Sequence, residues 1–298
     1  MTFSIETHEL IDRVLRTSPT RRRVAVFDFD NTCIRGDSGE RMHAWLSEHL
    51  LWHRPSLLAA LEPDDGLADV AALWDAQSSG AVDANERAAL TAELIAVFPR
   101  RLARVGPAQT YGWATGLLAG LAPEALRAEA RRMWQSEVRL TPGATQVQPR
   151  GGGAIELSVG LRPRPAVRSL IGALEAAGVE VWIVSATNVW TVEALGTILG
   201  VPRHRVIGNA CRVVDGVITA EREGPVTWAG GKVEAIERRI GERPLIAFGD
   251  SRTDTEMMMH AESAVLIDRG SEELRQLAAR EGWAITAAEQ LDSLVSDD

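Results

Sequence analysis

The residues Val24-Ala25-Val26-Phe27 form an unbroken apolar run bounded by polar positions. A run this short, rich in β-formers, predicts a strand buried on both faces, as in a parallel sheet. Two similar runs follow at 179–184 and 245–248, and shorter ones at 265–267 and 283–285. Helical spacing lies between them. Ile5, Leu10, Ile11, Val14 and Leu15 share one face of a helix over 4–15, capped by Ser4 and ended before Pro19. Further helices are predicted over 165–177, 190–199, 232–240 and 272–280, the first three stopped by Gly178, Gly200 and Gly241. Val206-Ile207 opens another strand, and 213–218 reads as a hairpin about Asp215-Gly216. Repeated strand–helix units predict an α/β, Rossmann-like parallel sheet with helices on both faces.

From 38 to about 140 the strand pattern vanishes. Met42, Trp45, Leu46, His49 and Leu50 are spaced as on a helix. Breaks at Pro55, Pro63-Asp64-Asp65-Gly66, Ser78-Ser79-Gly80, Pro99, Gly106-Pro107 and Pro123 divide this stretch into five or six helices. Pro142-Gly143 and Gly151-Gly152-Gly153 are expected to form a flexible return, a hinge or linker rather than a phosphate loop. The expected organisation is a catalytic core from 1–36 and 160–298, with an all-helical cap inserted at 37–159. A length of 298 residues accommodates both.

The net charge of −9, from 41 acidic and 32 basic residues, argues against a general nucleic-acid or anionic-membrane binder. Arg21, Arg22 and Arg23 read as a solvated lead-in to the first strand. Cys33 and Cys211, the two cysteines, form no metal-type pair and no disulfide framework. The first sixteen residues lack the apolar segment of a secretory signal, and no apolar run is long enough for a bilayer, so the default expectation is cytoplasmic.

The candidate chemistry sits where the buried runs end. Asp28 and Asp30 close the first, Ser185 the second, and Gly249-Asp250 follows the third. Ligands of open parallel sheets bind outside the carboxyl ends of the strands, so these residues should converge. Lys232 opens a helix after Gly230-Gly231, and Asp254 lies four residues past Asp250. Asp-x-Asp alone is equally well read as a loop cap, with Asn31 and Thr32 as turn formers. Together, these residues suggest phosphoryl transfer. Asp28 can attack phosphorus, and Asp30 can give and then take a proton. Mg²⁺ suits several carboxylates in one mouth. Ser185, Lys232 and the backbone N–H groups of Asn31 and Ala186 can hold phosphoryl oxygens, with Asp254 orienting Lys232.

These residues also match a known pattern in order. Asp28-Phe29-Asp30-Asn31-Thr32, Ser185 in Ile183-Val184-Ser185-Ala186, Lys232, and Gly249-Asp250-Ser251-Arg252-Thr253-Asp254 resemble the four motifs of haloacid dehalogenase superfamily phosphatases. The resemblance covers the core, about half the chain. It implies that Asp28 is nucleophile and metal ligand, and that Asp30 is acid/base and binds Mg²⁺ through its backbone carbonyl. It further implies that Asp250 completes the metal site. The insertion after the first motif is similar to the cap of phosphoserine phosphatase-like members. The stretches 182–186 and 225–232 are similar to phosphorylcholine phosphatase-like ones. Asn31, where many of these phosphatases carry Gly or Ser, and the longer cap are departures. The implied reaction is hydrolysis of a small phosphorylated metabolite, favoured as an amino-alcohol or amino-acid phosphate, beneath a cap that closes over it. A dehalogenase would not need Asp30, whereas a phosphosugar mutase needs both aspartates. A non-enzymatic phosphate-binding protein should have lost one of Asp28, Asp30, Lys232 or Asp250.

For specificity, the resemblance assigns Asp37 to a substrate ammonium, while its position equally suits a helix N-cap, and Glu40 is the alternative reader. Of nine tryptophans, Trp45 and Trp190 are the candidates to face a quaternary ammonium, the others being packing. His49 and His53 have the spacing of a helical metal pair, without a residue to complete it.

Overall fold

The protein is described from a computed structural model over residues 3–16, 22–78, 84–150 and 152–292. Pro19, Arg21, Gly151 and the predicted break at Ser79-Gly80 lie outside these residues. The chain forms two compact units, one of residues 1–37, 162–208 and 225–298, the other of 38–161 and 209–224.

The strands in chain order are β1 (Val24–Phe27), β2 (Ile34–Arg35), β3 (Gly143–Val147), β4 (Ile155–Val159), β5 (Arg162–Pro163) and β6 (Glu180–Asn188). They continue with β7 (Val206–Val214), β8 (Val217–Glu223), β9 (Ile246–Gly249), β10 (Ala264–Asp268) and β11 (Ala284–Ala287). Seven make one sheet in the order β11-β10-β9-β1-β6-β7-β8. The pairs from β11 across to β6 are parallel. Every residue of β1, β9 and β10 is buried, as continuous apolar runs require of a sheet covered on both sides. Val24, Val26 and Ala247 pack on Ile236, Met257 and Met258 of the helices Gly230–Arg239 and Thr255–His260. Alternation sends Ala25 and Phe27 to the opposite face.

The register aligns the strand ends. Phe27 pairs with Phe248 on β9 and with Ile183 on β6. The Phe27 and Phe248 rings stack at 4.2 Å with planes 3° apart. Asp28 after β1 and Asp250 after β9 therefore lie beside Ser185, with β1 in the middle, although β6 does not stop at Ser185 as expected but runs on to Asn188. β2 and β5 pair antiparallel in the same unit, fixing side by side the points where the chain leaves it and returns.

In the second unit the described residues form six α-helices, over Ser38–Glu48, Arg54–Ala60, Leu67–Ser78, Ala84–Val105, Pro107–Gly116 and Pro123–Glu137. Pro99 does not end a helix as predicted but lies inside Ala84–Val105. Buried Leu90, Leu94 and Ile95 on one side of it, and Arg101 bound to Asp65 at 2.8 Å on the other, anchor both halves. The predicted flexible return is instead the β3–β4 hairpin, five residues a side. Its loop is tied down by the Arg150 N–H, which donates to buried Glu93 at 2.6 Å. Glu137 fastens this unit's return, forming an ion pair with Arg41 at 2.9 Å and accepting from the Gly160 N–H at 2.6 Å. The hairpin expected at 213–218 is present, turning through Asp215 and Gly216 with φ of 50° and 77°. Residues 209–224 group with the helical unit rather than the core, because Gly120 and Leu121 exchange backbone hydrogen bonds with Ile218 at 2.9 Å. Among the described residues, no helix is long and apolar enough to cross a membrane.

Candidate functional site

The cluster is built around Lys232, which is wholly buried. Its Nζ donates to Asp28 Oδ1 and to Asp254 Oδ1, each at 2.6 Å. A Cβ on Gly231 would lie 1.8 Å from the Val226 carbonyl, so the tight entry into this helix requires glycine there. The entry loop is clamped on both sides. Thr227 Oγ1 donates to the Ser185 carbonyl at 2.6 Å, and the Ala229 N–H donates to the Thr253 carbonyl at 3.1 Å. One loop thus binds β6 at Ser185 and the turn after β9 at Thr253 while delivering the ammonium to Asp28 at the end of β1.

Asp28 leaves β1 with its N–H bonded to the Phe248 carbonyl at 2.9 Å. Asp250 accepts from Thr32 Oγ1 at 3.1 Å and from Arg269 Nη1 at 2.8 Å. One oxygen from each of Asp28, Asp250 and Asp254 lies within 4.8 Å of the others. Asp254 is already occupied. Its Oδ1 takes Lys232, and its Oδ2 takes the Asp250 and Ser251 N–H groups at 3.2 and 3.0 Å and the Ser251 hydroxyl at 2.8 Å. Asp254 is the most heavily bonded of the three, which leaves Asp28 and Asp250 the better placed to accept a cation, and Asp254 is bonded to the lysine. All the donors are hard oxygens, as Mg²⁺ demands.

The electrostatics fit such a cation. Burial, then the charge of Asp254, pushes the Asp28 carboxyl well above its ordinary range, although Lys232 pulls it back. Burial and Asp254 carry Asp250 to about 6, against the pull of Arg269 and Thr32. Burial alone would lower Lys232, but Asp254 and Asp28 hold the ammonium above its usual value. The cluster is short of positive charge.

Asp30 Oδ2 accepts from Thr187 Oγ1 at 2.7 Å, and its charge acts on Asp28. Ser185 is 1% exposed, and its Oγ accepts from the Thr187 N–H at 3.0 Å. Asn31 adopts φ 62°, its N–H bonded to the Gly36 carbonyl at 3.1 Å and its Oδ1 accepting from the Gly36 N–H at 3.3 Å. Ala186 follows Ser185 within β6. Cys33 packs beneath, its Sγ donating to the Asp28 carbonyl at 3.1 Å, and burial pushes its thiol well above its ordinary pKa.

Asp37 is half-buried and immediately precedes the helix Ser38–Glu48, whose first turn holds Glu40. Trp45, in the helical unit, donates to Glu129 at 3.1 Å, and its ring lies 3.9 Å from that of His49, tilted by 30°. Trp190 is 4% exposed in a helix capped by Asn188, a packing position rather than an open aromatic wall. The helix bearing His43 ends at Glu48, and Leu50 turns the chain at φ 51°, so His49 and His53 lose their helical spacing. His49 bonds the Trp45 carbonyl and His53 the Ser56 hydroxyl.

Three site residues carry no motif signal: Thr187, Arg269 and Arg164. Arg164, 3% exposed, donates to the Asn31 carbonyl at 3.2 Å and the Ala288 carbonyl at 2.6 Å, and pairs with Asp292. It ties the loop after β1 to the end of the described chain. Its place directly before Pro165 at a helix start was the one available hint.

A family model described as haloacid dehalogenase-like hydrolase matches residues 25–259. No curated protein matches the sequence. Among solved structures, a conserved, functionally unknown protein from Anaerococcus prevotii DSM 20548 is similar with a TM-score of 0.80, over 97% of each chain and at 17% identity. A protein of unknown function from Bordetella pertussis Tohama I matches at TM-score 0.57, with 20% identity over 90% of this chain and 100% of that one. Cytosolic 5'-nucleotidase IIIB bound to cytidine matches at 0.51, with 13% identity over 95% and 85%. At these identities the likeness is one of fold.

Proposed function

Because the chain belongs to the haloacid dehalogenase-like hydrolase family, we propose that it is a Mg²⁺-dependent phosphomonoesterase working through Asp28. The observation that carries this reading is the Lys232 ammonium held 2.6 Å from both Asp28 and Asp254, beside Asp250. Asp28, Asp250 and the backbone carbonyl of Asp30 would hold the metal. When bound, it would neutralise phosphoryl charge that otherwise repels a carboxylate nucleophile.

Lys232 fixes Asp28 Oδ1 and leaves Oδ2 as the attacking atom. As the Asp28 O–P bond forms and the ester P–O bond breaks, Asp30 gives its proton to the leaving alkoxide. Asp30 then takes a proton from water, which attacks phosphorus. Inorganic phosphate leaves and Asp28 is restored. Ser185, through its hydroxyl, and the Ala186 N–H would hold phosphoryl oxygens, with Lys232 supplying charge, whereas the Asn31 N–H expected to join them is spent on the Gly36 carbonyl at 3.1 Å. Thr32 supports Asp250 and Asp254 supports Lys232. Asp37 is the residue we assign to a substrate ammonium, in keeping with an amino-alcohol or amino-acid phosphate.

Hydrolysis of p-nitrophenyl phosphate, phosphocholine, phosphoserine and a nucleoside 5'-monophosphate, with and without Mg²⁺, tests this. Wild type should release phosphate only with Mg²⁺, and Asp28→Asn should not. Equal inactivity of both on every ester would end the phosphatase reading.

A further inference from the structure

Lys232 and Arg269 both neutralise the carboxylate cluster, but they are placed differently. Lys232 is fully buried and fixed between two aspartates. The Arg269 side chain is 48% exposed and reaches in to Asp250, whose own side chain is 3% exposed. Arg269 stands in the turn after β10, the strand beside β9, where Leu266 pairs with Gly249. The turn itself is held by its neighbour. Asp268 accepts from the Gly270 N–H at 2.8 Å and from Arg275 Nε at 2.7 Å. Asp268 is thus satisfied by its own loop, and Arg269 bonds across to Asp250 instead.

Charge explains why a cation is needed there. Asp28 lies within electrostatic reach of Asp254, Asp250 and Asp30, and Asp250 within reach of Asp254. Arg164 is also within reach of Asp250, but its guanidinium is engaged by Asp292 and two backbone carbonyls. Against the three carboxylates Asp28, Asp250 and Asp254 stand Lys232 and Arg269, leaving a formal negative excess that attracts a divalent cation. Removing one partner of a buried pair leaves an uncompensated charge. A positive neighbour also weakens a nearby divalent ion by Coulomb repulsion.

We propose that Arg269 is a resident counter-cation for Asp250: it stabilises the metal-free site and sets the affinity of that site for a divalent cation. The proposal rests on the metal reading above, but its test reads binding and melting rather than hydrolysis. A long, solvent-tipped guanidinium suits this task, because its head can move outward while Asp250 stays bonded to Thr32.

The full chain, stripped with EDTA and dialysed, is titrated with MgCl₂ in a calorimeter and melted with and without Mg²⁺. Arg269→Gln should melt lower than wild type without metal. It should bind Mg²⁺ more tightly by roughly tenfold, as expected for loss of one positive charge beside a divalent ion in a partly solvated site. Its Mg²⁺-induced rise in melting temperature should be correspondingly larger. Arg269→Lys, which keeps the charge, should resemble wild type. Arg238→Gln, which makes the same change in net charge at a surface pair with Glu234, should too. Wild-type or weaker Mg²⁺ affinity in Arg269→Gln, or an unchanged metal-free melting temperature, would overturn the role of Arg269 alone. A wild-type protein that takes up no Mg²⁺ would remove the metal reading, and this proposal with it.

Discussion

Thr187 Oγ1 donates to Asp30 Oδ2 at 2.7 Å, while the N–H of the same threonine bonds Ser185 Oγ at 3.0 Å. One residue thus sets both the proposed acid/base and the hydroxyl proposed to hold phosphate. Thr187→Val keeps the shape and deletes the hydroxyl. Asp30 then loses a bond that helps to fix its carboxylate. An alkyl phosphate needs its leaving oxygen protonated, whereas p-nitrophenolate leaves unaided. kcat/KM reports only through the first irreversible step, so it excludes the later use of Asp30 as a base. We expect kcat/KM to fall roughly tenfold or more on phosphoserine or phosphocholine, within the range of general acid catalysis. On p-nitrophenyl phosphate it should change by less than about twofold. Equal losses on both classes would mean that Thr187 merely supports the fold.

Lys232→Met leaves Asp28 and Asp254 buried against a neutral side chain. Removing one partner of a buried charge pair costs about 3–5 kcal/mol. Urea unfolding in EDTA should show a loss of that order, with little change in the slope. A loss below about 1 kcal/mol would show that the two carboxylates tolerate burial without the ammonium.

Ala229 has φ 51° and ψ −128°, a conformation open mainly to glycine, and it stands at the N-cap of the Lys232 helix. The clamp from Thr253 holds it there. Ala229→Gly should relieve the strain and raise stability by about 0.5–1 kcal/mol, less what the methyl contributes by burial. Thermal melting of the full chain checks the sign. A drop of 1 kcal/mol or more would show that the alanine is not strained.

The parts of this molecule legible in the sequence are those where one local rule acts alone. The runs around Val26, Ile183 and Ala247 read as interior strands because burial on both faces leaves no polar alternation. Polar residues ending such runs then identify Asp28, Ser185 and Asp250 as partners at one sheet edge. Thr187 and Arg269 carry no such mark. Their place depends on which strands are adjacent and how their ends align, information that resides in pairings such as Phe27 with Phe248. Pro99 misleads for a related reason. A proline ordinarily ends a helix, but Leu94 and Arg101 are each held by other elements, and this tertiary anchoring overrides the local preference. In the β3–β4 hairpin only β4 carries a strand signal, the alternation Ile155-Glu156-Leu157-Ser158-Val159 that buries Leu157, whereas β3 is almost wholly exposed and the glycines between them read as a linker.

His43 gives a prediction within the helical unit. Its ring lies 5.0 Å from Trp52 and 6.4 Å from Phe98, and Nε2 bonds the Leu94 carbonyl at 2.8 Å. Burial lowers its pKa from 6.5 to about 4, although the Leu94 carbonyl raises it in part. The folded protein therefore refuses a proton that the unfolded chain accepts in this interval. Stability from this group is complete above about pH 6.5 and is lost as pH falls toward 4. Urea unfolding between those values should show a decline, of which His43 supplies about 1–3 kcal/mol. His43→Gln offers an amide N–H to the same carbonyl and does not titrate. Its stability should fall less steeply with acid than that of wild type. Identical slopes for the two proteins would show that His43 takes up its proton as readily folded as unfolded.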